Sequence, residues 1–140
     1  MSKAPTKLSQ WLFLIAIQVL MLPSVFAQAN YLAVSNCFWV IAPIHELSRE
    51  MQLNELWSFT QGRVGWLGGF VQANKGNKDF DAAFGLDLER KKAAGLVMKE
   101  ELRHAITRKD ASKYQSIISQ AVACDKVMGI RTDFLPRMGM

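Results

Sequence analysis

The sequence predicts an all-α protein, a small antiparallel four-helix up-and-down bundle behind a cleaved N-terminal signal peptide, with a disulfide joining the first and last helices. Three observations predict it. Residues 1–29 follow the order of an export signal. From Asn30 onward, apolar residues recur at spacings of three and four, and strand-type alternation never persists. The only two cysteines, Cys37 and Cys124, lie on the apolar stripes of the first and last candidate helices.

The signal begins with Lys3 and Lys7 and no acidic residue. The apolar run from Trp11 to Leu22 is interrupted only by Gln18, and Pro23 and Ser24 end it. Ala27-Gln28-Ala29 then gives the small-x-small pattern of a cleavage site, and Val25-Phe26-Ala27 offers a second. Cleavage leaves a protein beginning at Asn30 or Gln28, periplasmic or secreted, with no stable membrane insertion. With Lys3 and Lys7 removed, the 17 basic residues become 15 against 12 acidic ones, a net charge of +3. Arg90-Lys91-Lys92 and Arg108-Lys109 are the only basic clusters, which argues against nucleic acid as a partner. The remaining length suits one bundle domain, residues 30–130, followed by an irregular tail, 131–140.

The first helix is expected from about Tyr31 to Glu50, with Tyr31, Val34, Cys37, Phe38, Ile41, Ile44 and Leu47 on one side and a kink or restart at Pro43. The second is expected to begin at an Asn54 cap and to bury Leu56, Trp57, Thr60, Val64, Leu67 and Val71. Beside that face runs a stripe of small residues, Ser58, Gly62, Gly65, Gly69 and Ala73. Glycine is unfavourable inside a helix, so the stripe predicts another backbone packed close against it. Asn74 to Lys78 reads as a loop, and Asp79 to Gly85 as a short turn or helix with Phe80 and Phe84 on one side.

A third long helix spans about Asp87 to Ile106. Its pattern exposes Glu89, Arg90, Lys92, Lys99, Glu100 and Arg103 and buries Ala94, Val97, Met98, Leu102 and Ala105. Asp110 caps the last, whose stripe is Tyr114, Ile117, Ile118, Ala121, Cys124 and Met128, with Gly129 as terminator. Cys37 is near the start of the first helix and Cys124 near the end of the fourth. In an up-and-down bundle these points share a level, so bond and topology support each other. A bridge across 87 positions stabilises by about 4–5 kcal/mol on the chain-entropy estimate.

Familiar chemistries fail on spacing. His45-Glu46 opens like H-E-x-x-H, but Arg49 stands where the second histidine belongs, and His104 has no histidine one turn away. Asn77, Asp79 and Asp81 alternate like calcium ligands, yet Ala82 and Leu88 occupy the glycine and glutamate positions, so these acids are read as helix caps. Gly62, Gly65 and Gly68 match no phosphate-binding loop, and no serine sits in G-x-S-x-G. No metal, cofactor or catalytic residue is expected, and neither is an enzyme.

The surplus is aromatic. Phe59, Arg63, Trp66 and Phe70 lie off the expected buried face of the second helix and have the composition of a binding hot spot, which makes them the candidate partner-binding residues. The competing structural reading is a central helix buried on all sides. The functional expectation is an exported protein that binds a partner, expected to be another protein, as an inhibitor, immunity or accessory factor, or small chaperone. One alternative keeps residues 11–27 as the anchor of an envelope subunit. Another is a cofactor-binding or enzymatic bundle using His104.

Overall fold

A computed structural model describes residues 30–138, which hold five helices and no strand. The export signal of residues 1–29 lies outside the described residues. Helix α1 covers 30–50, α2 Asn54–Asn74, α3 Lys78–Gly85, α4 Leu88–Arg108 and α5 Ala111–Met128. Residues 130–138 follow as an irregular strap.

Local chemistry sets most of the boundaries. The Asn77 side chain accepts from the backbone of Asp79 and Phe80 and starts α3, and Asp110 accepts from Lys113 N and starts α5. Gly129 ends α5 in the left-handed region at φ 67°. Asn54, expected as the cap of α2, is instead its first residue. The cap position is Leu53, which makes no side-chain cap bond. Pro43 does not restart α1, which stays helical throughout.

Cross-contacts give the helix directions. Tyr31 Oη donates to Asn74 Oδ1 at 3.1 Å while His45 lies 2.8 Å from Thr60, so α1 and α2 are antiparallel. Cys37, early in α1, is bonded to Cys124, late in α5, with the Cα atoms 5.6 Å apart. This is the predicted bond at the predicted level. Lys113 on α5 pairs with Glu101 on α4. Helix α4 runs parallel to α1, with Lys91 on Ser35 near one end and Arg103 on Glu50 near the other. The four long helices therefore alternate in direction. The short α3 covers the end of the bundle, with Phe80 against Tyr31 and Phe70 and Phe84 against Phe38.

One core results, built from Val34, Ile41, Ile44 and Leu47 of α1, Leu56, Phe59 and Leu67 of α2, Met98 and Leu102 of α4, and Tyr114, Ile117 and Ala121 of α5. The stripes of α1 and α5 are those the sequence indicates. Helices α2 and α4 are turned relative to expectation. On α2 the buried positions are Leu56, Phe59, Thr60, Arg63 and Leu67, and Trp57 is 37% exposed. On α4, Gly95 and Lys99 are buried while Ala94 and Val97 face solvent.

Gly95 explains part of that turn. Pro43 has no amide, so the Trp39 carbonyl has no helical donor one turn on. Helix α4 crosses there, and a Cβ at position 95 would stand 3.0 Å from both Trp39 O and Pro43 Cγ. Only glycine fits without displacing backbone. The small-residue stripe of α2 has no such role. Gly62, Gly65 and Gly69 are exposed, with nothing within 4 Å of where a Cβ would stand, so the expected close packing occurs on α4 instead.

Candidate binding surface

The four aromatic and cationic residues that stand out in the sequence separate in the fold. Phe59 is in the core, and Arg63 is only 7% exposed beneath the strap. Arg63 Nε donates to Asp125 Oδ1 at 2.8 Å and a terminal nitrogen to Oδ2 at 2.6 Å, a two-point clamp between α2 and α5. Its other terminal nitrogen donates to the Phe59 carbonyl, and its guanidinium stacks 3.7 Å from the Phe59 ring centroid. Thr132 of the strap donates to Asp125 Oδ2 at 2.5 Å. With Asp125 only 2% exposed, this is a buried and satisfied ion pair, not a contact surface.

Trp66 and Phe70 remain half-buried and stack on each other, with centroids 5.1 Å apart and planes 13° apart. Phe70 continues into the cluster of Tyr31 and Phe80, so this pair closes the α1, α2 and α3 end of the bundle. Phe59 and Arg63 are thus withdrawn as contact residues, and Trp66 and Phe70 serve chiefly as packing. Asp125 could have revealed this. It adjoins Cys124 on the stripe of α5, where an acidic residue needs a cationic partner.

The two histidines occupy different settings. His45 Nδ1 lies 2.8 Å from Thr60 Oγ1, which is also 2.9 Å from Leu56 O and 3.2 Å from Trp57 O. Burial, then Arg49, lowers the His45 pKa from its ordinary 6.5. His104 is exposed on α4. Among the described residues no group of three or more His, Cys, Asp or Glu is arranged to hold a metal.

Lys99, expected in solvent, is instead clamped between α4 and α1, 3.1 Å from Glu46 and 2.6 Å from Glu50. Arg103 closes on the second oxygen of Glu50 at 2.5 Å. Hydrogen bonds from Lys99 and Arg103 hold the Glu50 carboxyl below its usual range, and the bond to Glu50 raises Lys99.

Part of what the fold leaves in solvent is apolar. Leu96 is 62% exposed and Val97 61%, side by side at the middle of α4. Concave surface lies on both flanks of this ridge. One groove, about 440 Å³, lies against α1 and is lined by Trp39, Ala42, Pro43 and Ala93. The other, about 600 Å³, runs toward α5 past Glu100, His104, Arg108 and Lys113. The Nε1–H of Trp39 has no hydrogen-bond acceptor among the described residues. The strap adds a second exposed pair, Phe134 and Leu135.

No protein-family model, curated protein or solved structure matches this chain. The class defined by the fold is a disulfide-tied helical bundle. Among the described residues, no helix is long and apolar enough to cross a membrane.

Proposed function

We propose that the protein is exported, loses its N-terminal signal, and acts by binding a protein partner across the outer face of α4. The observation that carries this reading is the Leu96 and Val97 ridge, two large apolar side chains more than half exposed on a rigid helix between two grooves. The Cys37–Cys124 bond is in keeping with an oxidising compartment. A photoactivatable residue at position 97, compared with one at exposed Gln72 on α2, tests the surface in intact cells. Adducts from 97 alone support it, and none from 97 refutes it. Fractionation with N-terminal sequencing tests export, and the expected first residue is Asn30 or Gln28.

A second reading retains residues 11–27 as an envelope anchor. What favours it is Tyr31, half-buried at the end of the bundle where α1 begins, since tyrosine gathers at membrane interfaces. Carbonate-resistant full-length chain in the membrane fraction would favour the anchor over cleavage.

A further inference from the structure

We infer that the α4 ridge is occupied by a second copy of this chain, with the two α4 helices crossing antiparallel about a two-fold axis between Leu96 and Val97. The inference rests on the reading of this face as a protein-binding surface and names its partner. Its basis is the order of exposed residues along α4. Glu89, Lys92, Leu96, Val97, Glu100 and His104 all face solvent.

Reversal about the midpoint of Leu96 and Val97 sets Leu96 opposite the second copy's Val97. It also brings Lys92 level with Glu101 and beside Glu100, so apolar meets apolar and Lys92 meets acid. A parallel arrangement instead sets Lys92 against Lys92 and Glu100 against Glu100. The charge pattern therefore selects the antiparallel, self-complementary pairing that a two-fold dimer requires. Within one copy these charges have only loose partners. Lys92 is 3.6 Å from Glu89 and Arg103 3.4 Å from Glu100, both on the exposed surface. Exposed pairs of this kind are worth little and are readily exchanged. The grooves on either flank give the partner helix room to seat, ridge into groove.

A single helix face is smaller than the standard interface of about 1,600 Å², so the dimer is weak and exchanges. Sedimentation equilibrium of the protein as cells process it should show monomer at about 1 µM and a doubled mass by about 1 mM. Val97→Glu and Lys92→Glu should each weaken dimerisation at least tenfold, and Lys92→Glu with Glu100→Lys should restore it. All three sites are exposed, and an unchanged melting curve confirms that the variants are folded. A monomer throughout that range, or a failed charge-swap rescue, overturns the inference. Crosslinking from position 97 separates the two levels. Adducts only to a different protein, with the purified chain monomeric, overturn self-association and leave the binding reading standing, whereas no adduct at all overturns both.

Discussion

Replacing Asp125 by alanine removes the carboxylate paired, among the described residues, with the Arg63 guanidinium, on a residue that is only 7% exposed. The Phe59 carbonyl and ring stay, but neither carries a compensating charge. Breaking one side of a buried ion pair typically costs about 3–5 kcal/mol, because the remaining charge is stranded out of water. Unfolding entropy over the described residues is roughly 0.23 kcal/mol per degree, so the melting temperature should fall by about 13–22 °C. Thr132 loses its acceptor too, and the strap should loosen with it. Arg63→Met combined with Asp125→Leu removes both charges and keeps volume in place, so most of the lost stability should return. Far-UV circular dichroism melts with the disulfide intact measure all three variants. A shift below about 4 °C for Asp125→Ala, which is the range of a surface pair, would refute the buried clamp. A double variant no better than the single would refute the electrostatic account.

The two tryptophans of α2 should separate. Trp66→Ala should cost about 2–3 kcal/mol through lost stacking and burial, Trp57→Ala about 1 or less, and the reverse order in thermal melts would contradict the packing. Gly62→Ala should stabilise by up to about 1 kcal/mol because its surroundings are open, whereas Gly95→Ala should destabilise despite the same gain in helix propensity, since its methyl meets the Trp39 carbonyl. Stabilisation by both in urea titrations would show that α1 and α4 are not in close contact. Burial, then Glu55, pushes Tyr114 up to about 12, so its stabilising contribution is complete below the ordinary 10.0 and lost as pH rises through about 12. Phenolate absorbance should show a late titration that Tyr114→Phe abolishes, and titration of Tyr114 near 10.0 would count against it.

Helices α1 and α5 were legible in the sequence because their stripes are almost wholly apolar, and the cysteines fixed their mutual level. The buried faces of α2 and α4 were not, and the reason is shared. Each carries one cation that a distant helix draws inward, Arg63 toward Asp125 and Lys99 toward Glu46 and Glu50. Periodicity treats a cation as solvated and rotates the face away from it. That rotation hid Val97 in an imagined core and put Arg63 on an imagined surface. Leu96 and Val97 become a candidate site only after Gly95 and the lysine clamp turn α4 toward α1.

The bond between Cys37 and Cys124 also dictates an order of events. A chain made from its N-terminus presents one thiol early and its mate only after α2, α3 and α4 have followed. Throughout that interval Cys37 has no partner within its own chain, so pairing errors are confined to other molecules. Native oxidation is necessarily a late step and needs no reshuffling. A nascent chain halted before residue 124 should therefore still react with a thiol reagent at Cys37, and the completed protein should not.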